Sequence, residues 1–153
     1  MRDDAAGAEG DRPGRPRRGH RHRHAARRTA LDVLYQADIR GTSPVEALRE
    51  WRASGRDVAP YTTELVQGVE ASLARIDALL GEHAEGWTVP RMATVDRAIL
   101  RVACYELLAG VPSAVAIDEA VDAAQTLSTE ASGRFVNGVL GAIVRVLASG
   151  DED

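Results

Sequence analysis

The segment Thr94 to Ala109, TVDRAILRVACYELLA, restricts the possible folds more than any other part of the chain. Wound at 3.6 residues per turn, Val95, Ala98, Ile99, Leu100, Val102, Ala103, Cys104, Leu107 and Leu108 cover most of its circumference. Arg97, Arg101 and Tyr105, at i, i+4 and i+8, leave a single polar stripe. A helix of this kind is stable only when neighbours cover it on most sides. The rest of the chain must therefore wrap around this helix.

The flanking segments have the matching character. A first helix is predicted from about Ala25 to Ile39, with Ala26, Ala30, Val33, Leu34 and Ala37 facing inward. Ser43-Pro44 reads as a cap and first turn of a helix to about Ala53. Leu65, Val69, Leu73, Ile76 and Leu80, spaced by four and three, predict one helix from about Pro60 to Glu82. Gly81, Gly86 and Pro90 mark a break in which Trp87 is expected to cover part of the core. Two more helices follow, Ser113 to about Leu127 and about Ala131 to Leu147, the second burying Val136, Val139, Leu140 and Ile143. Gly138 and Gly141 are expected to permit close packing of that last helix.

Abundant alanine, few aromatics and no alternation of β-branched with polar residues make the fold class all-α. A length of 153 residues suits one domain with its own core. No uninterrupted stretch of eighteen apolar residues is present, so no membrane span is expected. Arg17-Arg18 is followed by a polar, His-rich segment, unlike an export signal, and the chain reads as cytoplasmic. One cysteine, Cys104, excludes an intramolecular disulfide and a multi-cysteine zinc site, and its apolar setting predicts an inert thiol.

Charge divides the chain. Residues 1–28 hold nine arginines against four acids, a net charge of +5; residues 29–153 hold ten arginines against nineteen acids, a net charge of −9. Residues 1–24, rich in Gly, Pro, Arg and His, have too few apolar groups to offset the entropy of ordering and read as a disordered arm. Residues 25–148 read as the folded domain and 149–153 as an acidic tail. A basic arm on a helical domain fits a nucleic-acid binder, and equally a solvated tail.

Phosphate loops, nucleophile elbows, H-E-x-x-H and paired C-x-x-C motifs are all missing, so no enzyme, cofactor or metal function is expected. His20, His22 and His24 lack a carboxylate near in sequence, and Asp118, Glu119 and Asp122 read as the solvent face of their helix. Two segments suit RNA better. Arg28, Asp32 and Tyr35 share one face of the first helix, with Arg27 beside them: guanidinium forks for phosphate and an aromatic ring for a base. Tyr35 would equally serve as a half-buried core residue. Arg134, Phe135 and Asn137 place a charge, a ring and an amide within one turn, and simple core packing competes as the role of Phe135.

These blocks carry a resemblance. V-D-R-A-I-L-R-V-A-C-Y-E-L at 95–107, V-A-I-D-E-A-V at 115–121 and R-F-V-N-G-V-L at 134–140, with A-R-R-T-A-L-D-V-L-Y-Q at 26–36, are similar in order and spacing to the NusB family of transcription antitermination factors over about residues 25–148. The resemblance implies two packed helical bundles and no catalysed reaction. It implies binding to the boxA element of nascent ribosomal RNA, with the small-subunit ribosomal protein NusE, in an RNA polymerase antitermination complex. Family members occur as monomers and as homodimers. The residues that match the family's RNA surface are Arg23, Arg27, Arg28, Tyr35, Arg134, Phe135 and Asn137; Asp96 and Arg97 match the start of its protein-partner surface. The arm R-P-R-R-G-H-R-H-R-H is longer than the family's usual one, and positions 25–28 exchange arginine and alanine relative to some members. Two alternatives remain at this level: the related RNA-binding domain of an rRNA methyltransferase, and a helical protein-interaction scaffold.

Overall fold

The computed structural model describes residues 18–150, with side chains from Arg21 onward. Seven α-helices and one 3-10 turn make up the described residues: α1 Arg18–Arg40, α2 Pro44–Ala53, α3 Pro60–Ala71, α4 Leu73–His83, the 3-10 turn Val89–Arg91, α5 Thr94–Leu108, α6 Ser113–Leu127 and α7 Glu130–Gly150.

Helix α5 is the central element the sequence demands. It packs on α1 and α3 on one side and on α4, α6 and α7 on the other. Two bundles result, α1–α3 and α4–α7, and α5 belongs to the core of both. Ile99, Leu100, Val102, Ala103 and Cys104 are buried there with Leu34, Leu65, Ile76, Leu80, Leu140 and Ile143. Each large aliphatic chain removed from water in this way contributes about 1.5–3 kcal/mol.

Helix α1 starts at Arg18 rather than near Ala25, so residues 18–24 of the expected arm are helical. The expectation of disorder for the remainder of the arm lies outside the described residues, as does the end of the acidic tail. Helix α1 closes where the Thr42 N–H reaches the Ala37 carbonyl at 3.0 Å, and Ser43 caps α2 by accepting from the Glu46 N–H at 3.1 Å.

The single helix predicted over residues 60–82 is two. Ser72, at φ −107° and ψ 14°, separates α3 from α4. The reason is packing. Leu65, Val66 and Val69 serve the first bundle, with α3 against α1 and α2, whereas Ile76 and Leu80 serve the second, with α4 against α7. A straight helix would not reach both. At Gly68 an added Cβ would lie 2.2 Å from the Tyr105 ring, so this glycine is the notch that lets α3 approach α5. Gly138 and Gly141 do not act as expected, since neither faces another helix closely; Gly133, whose added Cβ would lie 2.9 Å from the Gln125 side chain, fills that role between α6 and α7.

Helix α7 is long and apolar enough, on composition, to cross a membrane. Here Val136, Val139, Leu140 and Ile143 are buried against the bundle, while Arg134, Asn137 and Arg145 stand exposed along it.

Candidate nucleic-acid interface

The first turns of α1 dock against α3, α5 and α6 through polar contacts. Arg27 is only 6% exposed. Its Nε donates to Glu106 Oε2 at 2.8 Å, and its NH1 lies 3.7 Å from Glu119 Oε1. The Tyr61 hydroxyl donates to the same Glu106 oxygen. Burial, then this bond and the carboxylate's charge, push the Tyr61 phenol well above its usual range, against the opposing pull of Arg27 and Arg23. Thr62 donates to the Ala26 carbonyl at 2.8 Å. Glu106 is itself buried, so the one acid in the inner half of α5 is satisfied by a guanidinium and a phenol from two other helices.

Around this buried knot lies a shallower layer. The Arg23 guanidinium sits 4.5 Å from the centre of the Tyr61 ring and is exposed. His24 Nδ1 is 2.8 Å from Glu119 Oε1, and Arg28 NH2 is 3.3 Å from Asp122 Oδ2. The acidic face of α6 is therefore more than a solvent face: Glu119 and Asp122 hold the basic residues of α1. The cleft beneath, about 20 Å³ between Arg27, Leu31, Ile99 and Ala120, is the size of a single water and too small for an organic ligand.

Helix α6 also meets both segments that the sequence singles out as candidates for RNA. Asp122 meets Arg28 of α1, and Gln125, one turn further along the same face, meets Gly133 of α7. Three residues of helical rise are about 4.5 Å, so the α1 arginine and the start of α7 adjoin one stripe of α6. Arg28 is exposed in part, and Tyr35 at 44%, Arg134 and Asn137 are exposed. Tyr35 thus keeps more than half of its surface covered while the remainder faces solvent. Phe135 is half-buried, packed on the core and edge-on to Trp87.

Three residues differ from their expected settings. Arg27 was expected on a wet face beside Arg28 and is inside, because Glu106 needs a buried partner. Asp96 is buried and accepts from the Ser132 hydroxyl at 3.1 Å, tying the start of α5 to α7. Arg97 is nearly covered; it meets Asp38 at 3.1 Å and donates to the carbonyls of Val89, Pro90 and Met92 at 3.0–3.3 Å. Both residues of the expected partner surface are occupied in holding the fold. Trp87 keeps about half of its surface covered and meets the core-packed Phe135 edge-on. Tyr61 and Glu106 were missed. An acid at position 106, off the Arg97, Arg101 and Tyr105 stripe and among apolar residues, was the signal for a buried cation.

Among the described residues no group of three or more His, Cys, Asp or Glu is placed to hold a metal ion. The fold and this set of arginine, aromatic and amide side chains define an all-helical binding protein. A model of the NusB family matches residues 24–145. The transcription antitermination protein NusB of Saccharopolyspora erythraea is 55% identical over 130 residues, 81% of this chain and 87% of that protein. The corresponding protein of Acidothermus cellulolyticus is 51% identical over 124 residues, 79% and 86% of the two chains. Among solved structures, T. maritima NusB matches with a TM-score of 0.70 and 33% identity, covering 80% of this chain and 90% of that one. A chain from the crystal structure of antitermination factors NusB and NusE in complex with dsRNA matches with a TM-score of 0.72 and 31% identity, covering 82% and 98%. The chain belongs to the NusB family of transcription antitermination proteins, which are not enzymes.

Proposed function

We propose that this chain binds the boxA element of nascent ribosomal RNA together with the ribosomal protein NusE, and acts in the cytoplasm as part of an RNA polymerase antitermination complex. The observation that carries this reading is that α6 meets both α1, through Asp122 and Arg28, and the start of α7, through Gln125 and Gly133, two segments about a hundred residues apart in sequence. Arg23, Arg28 and Arg134 take phosphates, Tyr35 and Phe135 take bases, and Asn137 offers an amide to a base edge. Arg27 acts from beneath by fixing the helix that carries its neighbours. Asp96 and Arg97 shape the start of α5 for the protein partner rather than supplying the contact. The solved NusB–NusE–dsRNA assembly supports the pairing of partners.

The test is binding of boxA and scrambled RNA to the full chain, with and without NusE, at two salt concentrations. Three to five phosphate contacts give a slope of log K against log salt of about −2 to −3.5. A boxA RNA bound no better than a scrambled one in the presence of NusE overturns the reading.

A further inference from the structure

Trp87 is 51% exposed, the larger part of an indole that normally prefers an interior. A fixed turn presents it. The Trp87 backbone N–H donates to the carbonyl of buried Ala84 at 3.0 Å, and the chain reverses through Gly86 at φ +79°, a conformation that strains any residue with a Cβ. The ring meets Phe135 edge-on, with centroids 6.3 Å apart and planes at 65°. Phe135 lies between exposed Arg134 and Asn137 on the first turns of α7.

We propose that Trp87 is a second base-stacking platform of the RNA surface, taking an unpaired base beside the one taken by Phe135. The inference rests on the RNA reading above. Planes inclined at 65° do not share one base, so the two rings serve two bases of different tilt. Only unpaired, splayed RNA offers such a pair; a duplex keeps its bases stacked on each other. Glu85, Thr88, Arg134 and Asn137, the neighbours of the two rings in sequence, are exposed and polar. Arg134 lies close enough in sequence to grip the adjoining phosphate.

Trp51 and Trp87 are the two tryptophans, so Trp51→Phe leaves Trp87 as the sole indole reporter. Single-stranded boxA RNA is expected to quench its fluorescence, saturating together with binding measured by anisotropy, while a hairpin duplex of equal length leaves it unchanged. Trp87→Ala is expected to weaken boxA binding about 5- to 150-fold, with Trp87→Phe restoring most of it and thermal melts checking that both variants fold. Tight boxA binding with unchanged Trp87 fluorescence overturns the inference and leaves the RNA reading standing, even if Trp87→Ala does not fold. A fluorescence change produced by NusE alone, and none by RNA, assigns the ring to the protein partner and overturns it equally. Absence of RNA binding by the Trp51→Phe protein and by the unsubstituted chain, with or without NusE, overturns the RNA reading and this inference with it.

Discussion

Arg27 and Arg28 share a peptide bond, yet their guanidinium groups meet different surroundings. That of Arg27 is buried against Glu106; that of Arg28 reaches the more exposed Asp122. Removing one partner of a buried pair leaves a charge without compensation, which costs about 3–5 kcal/mol, whereas an exposed pair is worth about 0–1 kcal/mol. Arg27→Ala is therefore expected to lower the urea midpoint strongly, and Arg28→Ala to leave it nearly unchanged while making the salt slope of RNA binding less negative by about 0.7. Equal losses of stability in the two variants would contradict the assignment. Cys104 makes a pH-dependent contribution. Burial pushes its thiol up to about 12, against a usual value near 8.5. The folded chain keeps this proton where the unfolded chain releases it, so the associated stability is complete below about pH 8.5 and is lost as pH rises toward 12. Tyr61, also raised, adds to the loss from about pH 10. Urea midpoints are expected to be flat from about pH 7 to 8 and to fall by about pH 10, with a shallower fall in Cys104→Ala.

At the scale of elements, α1 and α6 meet as a basic face on an acidic one. Asp122 is paired with Arg28. If Arg28 takes a phosphate as proposed, an incoming RNA displaces Asp122, and Asp122→Asn is expected to tighten RNA binding several-fold at a stability cost of less than about 1 kcal/mol. Unchanged affinity would mean that Arg28 does not reach the RNA. This pairing was not legible in the sequence: residues 24–28 and 119–122 are far apart, and an acidic helix face looks the same whether it meets water or arginine. Inward faces were legible where apolar spacing was regular, as in α5 and α7, whereas in α6 the buried face is Ala116, Ala120, Ala123 and Ala124 and Leu127 stands exposed. The break at Ser72 was hidden because Leu65 to Leu80 keeps its period across the break, and only the partners of each half separate α3 from α4. Gly68 was hidden for a similar reason, since the Tyr105 ring it admits belongs to a distant segment. The proposed RNA segments were singled out as motifs; that Arg27 turns inward while Arg28 stays at the surface was decided by Glu106.

For the whole molecule, the charge division sharpens once the helical start is known. Residues 1–17 contain four arginines and four acids and carry no net charge, so the excess of five positive charges belongs to residues 18–28. That stretch lies on α1, docked against a body whose own net charge is negative. A negative net charge weakens long-range attraction of RNA to the chain as a whole, so the proposed binding rests on short-range contacts of α1 and α7. Deleting residues 1–17 is expected to leave both the boxA affinity and the salt slope nearly unchanged, whereas Arg23→Ala with Arg28→Ala should reduce the slope by about 1.4, about 0.7 for each phosphate no longer neutralised. Anisotropy titrations at three or more salt concentrations measure both quantities. A slope that falls on removal of residues 1–17 and stays constant on removal of the two helical guanidinium groups would move the phosphate contacts from α1 to the arm.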